Sequence, residues 1–557
     1  MVSSIGRNAD SYICGALFVY ALLLSSTLAL VGAPVLIDDG FYYLQIARNL
    51  ASGLGSTFDG LNQTNGYHPL WVLALIPVFW VLPESPESAL HVSLALQVLL
   101  NSATTVFLFR MARLALGHVA AATVALLWVL ISTRLSVAGL ELSLSALSIV
   151  SASWCYVRWF RLNLSPPVYR HYLWMGLLVS ISFLARLDNV FLVLIIGSIL
   201  GIDELRRGLT KSGCVRLLSF ALPVLLFCGG YLVLNVWHFG GIMPVSGAVK
   251  EAWSRQLLLL DPLYATPNSW GFLAAKTVNF FWPLHRLSYP LAWFVLLGCF
   301  GSLILWLVSR IPKADASSPQ ISVRFFLRIW GFLFAAGILQ YSYYACVFHG
   351  GATYSCEWYY VMQPISGALI VGFFVEGSLR WIKMQRPVQW LQSPPNGWAT
   401  TLAILLISFI AGLGIKQVVE ESRSIRNQGL IQGAGIAWIR ENTEPGAIIG
   451  SWNAGALGYF SGRQVVNLDG LVNSREFYLA QREDLCRYWD RIGVDYIADV
   501  LDLESGPAAV LPLKYTFADC VDRLVLVARM DNPGQPWSFQ IFRFLKSSRR
   551  TSIGVVP

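Results

Sequence analysis

The sequence predicts a polytopic α-helical membrane protein of about eleven transmembrane helices, followed by a small extracytoplasmic α/β domain. Three observations carry that expectation. The 557-residue chain is 55% hydrophobic and only 13% charged, about half the ~25% charge share of soluble domains. Its charge is uneven, with 40 charged side chains in residues 1–416 and 31 in the much shorter 417–557. Apolar runs near the ~20 residues needed to cross a bilayer occur only in the first part. A single soluble globule is excluded. The net charge of +9 arises wholly in the membrane part, where basic loops report orientation, so nucleic acid is not an expected partner.

The predicted spans lie at 12–34, 88–109, 118–133, 141–157, 172–185, 189–202, 217–237, 288–309, 329–347, 359–379 and 399–416. The fifth and sixth are short, and meet at a turn holding Arg186 and Asp188. If the N-terminus is placed in the cytoplasm, the inner segments carry 17 Lys/Arg and the longer outer loops carry 7. Basic loops stay on the cytoplasmic side. This orientation puts the outer loops 35–87 and 238–287 and the whole of 417–557 outside the cytoplasm. The first apolar run is too long for the 7–15-residue core of a signal peptide, and reads as a retained anchor. The division into domains is therefore 1–416 and 417–557.

The first outer loop opens with Asp38 and Asp39, directly after a membrane helix. Charge at that depth must meet water, a partner or a ligand, which makes both acids catalytic candidates. They could equally cap the next helix, whose positive N-terminal end favours acids. Phe41, Leu44, Ala47 and Leu50 then recur at three-residue spacing, a pattern suited to lying in the membrane interface. The loop closes on Tyr67, His68, Pro69 and Trp71. His68 is either a substrate contact or a structural residue in an aromatic belt.

Further candidates for substrate binding sit in later outer turns. Glu141 and Arg134 belong to the second, and Arg186 and Asp188 to the third. The latter two either form an ion pair or present Arg186 to a phosphate. The fourth loop offers Lys250, Arg255 and Arg286, and the fifth offers His349, Glu357 and Tyr359. Cations there suit a phosphate or anionic headgroups, and aromatic rings suit a sugar or an interface belt. The nine cysteines lack CxxC spacing, so no zinc or redox motif is expected. Cys486 and Cys520 form a disulfide or two free thiols. No cofactor is predicted, and a divalent cation is left open.

The tail alternates short apolar runs at 447–452, 464–470, 494–500, 523–530 and 538–544 with helical stretches at about 428–441 and 475–492. That alternation predicts a small α/β domain. Its glycines do not form a dinucleotide-binding fingerprint.

In order along the chain stand IDDGFYYLQIARNLASG with NGYHPLW, GLELSLSAL, FLARLDNVFL, FGGIMPVS, HGGATYSCEWYYVMQP and SWNAGALGYFSGRQVVNLDGL. Together these resemble polytopic glycosyltransferases of the GT-C superfamily, in particular the mycobacterial arabinofuranosyltransferase B type and its bacterial relatives. The resemblance implies a polyprenyl-phosphate sugar as donor and an exported glycan, lipid or protein as acceptor. It also implies an inverting reaction, with an acid of the first outer loop, Asp38 or Asp39, as general base. Gly139-Leu140-Glu141-Leu142 stands where relatives often read GMET, and Gly350-Gly351-Ala352-Thr353 where they often read GGDF. An arabinose donor is therefore not carried over. A transporter or flippase for a lipid-linked sugar is the rival reading, since intramembrane charges also mark transport paths.

Overall fold

The computed structural model describes residues 4–32, 35–162, 167–260, 323–344, 357–384, 397–428, 430–480, 485–502, 518–531 and 537–546. Numbered in chain order, the described helices of the first part are α1 (Ser4–Ala29), α2 (Asp38–Ala51), α3 (Pro69–Val81), α4 (Pro86–Arg113), α5 (His118–Ser132), α6 (Leu142–Tyr156), α7 (Tyr169–Ala185) and α8 (Val190–Arg206). After these come α9 (Lys211–Phe239), α10 (Val245–Leu260), α11 (Val323–Ser342), α12 (Met362–Met384) and α13 (Gly397–Gln428). Helix α9 contains a π-helical stretch at Val224–Gly229, directly after Pro223. Proline cannot supply its backbone N–H to the helix ladder.

The first part is a helical bundle, as the hydropathy predicts. Among the described residues five helices are long and apolar enough to cross a membrane: Asn8–Ala29, Pro86–Arg113, Lys211–Phe239, Arg324–Ser342 and Met362–Arg380. That is fewer than the eleven expected. The difference lies partly in length, since α5 and α6 have 15 residues each and α7 and α8 have 17. The expected span at 288–309 lies outside the described residues.

Helix α4 is central, packing against α1, α5 and α6, while α12 packs on α5 and α11, and α13 on α5 and α1. A polar knot ties three of them. The Asn101 amide donates to Ser25 at 3.3 Å, and its carbonyl accepts from Trp128 at 3.1 Å and Ser132 at 3.0 Å. Such interhelical bonds add to packing where water is scarce.

Basic side chains collect at one end of the bundle. Asp10 meets Arg113 at 2.8 Å and His118 at 3.0 Å, and Glu376 meets Arg380 at 2.8 Å while accepting from the Gly117 N–H. Glu204 gathers Arg207, Arg216 and Tyr172. These arginines belong to the loops expected inside. The candidate site lies at the opposite end.

Helix α2 departs from expectation. Instead of lying in the interface with one face on lipid, it buries Gly40, Phe41, Tyr42, Tyr43, Leu44, Ile46, Ala47 and Asn49. The reason is that protein covers both sides, with α3 packing on one and the tail on the other.

Helix α13 runs past position 416 into the tail, which continues with α14 (Leu430–Asn442) and builds a five-stranded mixed sheet. Its elements are β1 (Ile448–Ser451), α15 (Ala454–Phe460), β2 (Gln464–Asn467), α16 (Arg475–Ala480), α17 (Leu485–Ile492), β3 (Tyr496–Asp502), β4 (Leu524–Asp531) and β5 (Trp537–Phe544). The strand order is β2-β1-β3-β5-β4, in which β1 runs parallel to β2 and β3, and β5 runs antiparallel to β3 and β4. Each strand falls on one of the five apolar runs. Cys486 and Cys520 are joined in a disulfide.

Glycine permits one close approach on which the site depends. A Cβ at Gly40 would meet the Ala138 carbonyl oxygen at 2.5 Å and the Gly139 Cα at 3.0 Å. Gly40→Ala should therefore lower the melting temperature of the purified protein, by an amount corresponding to about 1–3 kcal/mol for overpacking.

Candidate active site

At the end opposite the basic cluster, loops from both halves of the bundle and one from the tail surround a cavity of about 80 Å³, several times the ~10–15 Å³ that holds one water. Its walls include Asp39, Tyr42, Tyr43, His68, Glu141, Arg186, Lys250, Trp358, Tyr359 and Leu471. The first turn of α2 supplies Asp39, and Tyr43 follows one helical turn later, on the same face. His68 precedes α3, and Lys250 comes from α10.

The innermost wall is a charge cluster. The Arg186 guanidinium is 2% exposed and bonds the Glu141 carboxylate through Nη1 and the Asp188 carboxylate through Nε at 2.9 Å. Asp188 also accepts from the Tyr344 hydroxyl at 2.8 Å and the Gln340 amide at 2.9 Å. The Tyr43 hydroxyl bonds Glu141. Burial pushes the Glu141 carboxyl up, but His68 and Arg186 beside it outweigh that and hold it below its ordinary range. The sequence left Arg186 as ion pair or phosphate ligand, and the geometry makes it an ion pair with two carboxylates.

His68 is partly buried and bridges loop and cluster. Its Nδ1 accepts from the Leu187 N–H at 3.3 Å, which leaves Nε2 facing Glu141 at 3.5 Å. Burial pushes the imidazole pKa down, against the pull of Glu141. The Tyr359 ring forms a floor, with the Arg186 guanidinium 5.4 Å and the Lys250 ammonium 5.2 Å from its centre. These are cation–π distances. Tyr344 stacks on Tyr359 with 5.1 Å between ring centres.

The two neighbouring acids part company. Asp38 turns to the tail, where its carboxylate accepts from the Gly455 and Ala456 N–H groups at 2.9 and 3.0 Å. It thus caps α15 rather than α2, whose N-cap is Ile37 with no side-chain bond. Depth in this junction outweighs the two N–H bonds and pushes the Asp38 pKa up to about 6. Asp39 turns to the cavity, 29% exposed, with the Lys250 ammonium at 3.8 Å.

The loop between them and His68 is held by its own polar groups. Asp59 accepts from the Leu61 and Asn62 N–H groups at 2.9 and 2.7 Å, and burial pushes its pKa up. Asn65 accepts from the Val245 N–H at 2.9 Å, pinning the loop to α10.

Of the residues picked from sequence, Asp39, His68, Glu141, Arg186, Lys250 and Tyr359 come together around the cavity, with Asp188 behind Arg186. Asp38 faces the junction with the tail. Arg286 and His349 lie outside the described residues, as do the side chains of Arg255 and Glu357. Sequence reasoning missed Tyr43, Gln340 and Tyr344. For Tyr43 the signal was its four-residue offset from Asp39, whereas the other two sit inside a predicted span with nothing to mark them. Among the described residues no group of three or more His, Cys, Asp or Glu could hold a metal ion.

A family model described as a domain of unknown function, DUF8728, matches residues 422–539. No curated protein matches the chain in sequence. Several solved structures are similar in fold, two of them as follows. One is ArnT from Cupriavidus metallidurans bound to undecaprenyl phosphate, with TM-score 0.53 and 10% identity over 97% of this chain and 98% of that one. The other is the oligosaccharyltransferase of Archaeoglobus fulgidus in complex with Zn and sulfate, with TM-score 0.52 and 14% identity over 95% of this chain and 73% of that one. The chain shares the fold of these two proteins. The narrower likeness to arabinofuranosyltransferase B stays a resemblance of sequence.

Removing Arg186 would strand two buried carboxylates, a change that costs about 3–5 kcal/mol. Arg186→Leu should accordingly give little folded protein by size-exclusion chromatography. Glu141→Gln with Asp188→Asn in that background should recover part of it.

Asp38 titrates in the folded protein near 6 against an ordinary ~3.9. Its contribution to stability is therefore complete below about pH 4 and is lost as pH rises through about 6. Asp38→Asn should remove this fall, which is on the order of 1–3 kcal/mol. Thermal unfolding of both proteins between pH 4 and 7.5 would measure it.

Proposed function

We propose that the protein is a glycosyltransferase that moves a sugar from a polyprenyl-phosphate donor to an exported glycan, lipid or protein on the outer face of the membrane. The observation that supports it best is the contrast between Asp39 and the other acids near the cavity. Glu141 and Asp188 are engaged by Arg186, and Asp38 by the tail. Asp39 has its carboxylate at the cavity beside a lysine.

In this reading Asp39 accepts the proton of the acceptor hydroxyl as that oxygen attacks C1 of the donor sugar. The bond between C1 and the phosphate oxygen breaks, and polyprenyl phosphate leaves as a stable anion. Attack from the face opposite the leaving group inverts the anomeric centre. Because the leaving group needs no proton, one carboxylate suffices, in contrast to the paired acids of glycoside hydrolysis. The Lys250 ammonium balances phosphate charge during departure. His68 and Tyr359 contact the sugar. Arg186 keeps Glu141 and the aromatic floor in place, and its two carboxylates leave it little net charge for a phosphate. The neighbours fit this reading, since one of them, ArnT, is bound to undecaprenyl phosphate.

The test is turnover by purified full-length protein of a panel of undecaprenyl-phosphate hexoses and pentoses, scored by release of undecaprenyl phosphate. Asp39→Asn should lower turnover about 10²–10⁴-fold, the range lost with a general base. Lys250→Met should slow turnover and weaken donor binding. Wild-type rates in Asp39→Asn would refute the assignment. In reconstituted vesicles, movement of the labelled lipid between leaflets without release would favour a transporter.

A further inference from the structure

The role of the C-terminal domain is not explained by the chemistry above. Among the described residues it lines the cavity only through Leu471, an apolar side chain. It does hold the first outer loop at both ends. At the start, two N–H groups of α15 grip the Asp38 carboxylate. The fit is tight, because a Cβ at Gly455 would sit 2.1 Å from the Asp38 carbonyl oxygen. At the other end, a Cβ at Gly66 would sit 1.8 Å from the Leu471 carbonyl oxygen. Between these points Gln464 donates to the Asp59 carbonyl at 2.9 Å, and Tyr488 to the Asn62 side chain at 3.2 Å.

Asp39 follows one gripped residue and His68 stands two positions after the other. Resting on the reading of Asp39 as general base, we infer that the C-terminal domain is a clamp on this loop and that Asp38 is its positioning residue, fixing the Asp39 carboxylate in the cavity. Consecutive Cα atoms are a fixed ~3.8 Å apart, so a displacement of Asp38 passes directly to Asp39. A misplacement of about 1 Å in a reacting group can cost ~10²-fold in rate. At the Asp38 end the clamp therefore acts first on turnover, because Lys250, which meets the lipid's phosphate, lies on α10, and α10 is tied to the loop through Asn65 at its other end. Asparagine at 38 keeps the size but turns an NH₂ toward one of the two N–H donors.

The experiment uses the full-length protein with undecaprenyl phosphate as binding probe, and the undecaprenyl-phosphate sugar turned over best as substrate. Asp38→Asn and Gly455→Ala should lower kcat about 10–100-fold and leave the Kd for undecaprenyl phosphate within about threefold. Amide hydrogen exchange over 38–45 and 56–67 should quicken in both. Tyr488→Phe and Gln464→Ala each remove one peripheral bond, so they carry the test should the first pair fail to fold. They should quicken exchange over 56–67 with a smaller fall in kcat. Unchanged exchange together with wild-type kcat in the variants would overturn the clamp, as would a raised Kd at unchanged kcat. Full activity in Asp39→Asn, with exchange still quickened by the other variants, would keep the clamp and discard the base.

Discussion

A guanidinium sealed from water organises this end of the molecule. Arg186 has almost no exposed surface, and an ion so placed is tolerable only with its charge matched and its donors used. Matching it takes Glu141 from the turn between α5 and α6, and Asp188 from the turn between α7 and α8. Asp188 in turn needs Tyr344 and Gln340 of the α11 region, and Gln340 reaches the Tyr359 carbonyl. His68 closes against Glu141. Segments far apart in sequence thus converge on one charge, and the crevice is the space they leave in front of it. Its position follows from electrostatics before any substrate is considered.

Much of this was legible in the residues. The bundle and the sheet were readable because hydropathy reports burial in lipid directly, and because apolar runs between turn signals report strands. The candidate side chains were readable for a related reason, since acids and arginines beside a span demand an explanation. What could not be read was which partner each had chosen. Asp38 and Asp39 are chemically identical, and only the packing of α15 against α2 separates them. The fate of α2 shows the same limit. Its three-residue apolar spacing suits a lipid surface or a protein one, and the cover comes from a domain more than 400 positions downstream. Tyr344 and Gln340 gave no sign at all, because a polar group inside an apolar helix looks like any other until its neighbour is known.

The two parts of the chain divide the work. The bundle carries the charges and rings that face the cavity. The mixed sheet of the tail braces its own turns, with Asp499 accepting from the Trp452 and Asn453 N–H groups at 2.7 and 3.0 Å. That bracing sets the start of α15, the surface that Asp38 meets. Rigidity is handed from a β-strand to a helix terminus, and from there to the loop, with no sheet side chain among the described residues entering the crevice.

The placement of Leu471 in the cavity wall has a bearing on biogenesis. The ribosome makes the helices first, and they can enter the bilayer with Arg186 already matched. Among the described residues, the last to join the wall of the crevice arrives only after residue 471 has been synthesised and folded. A chain lacking the tail would thus keep its lysine and its aromatic floor in a trough open on that side, with its acid not yet fixed by the grip on Asp38.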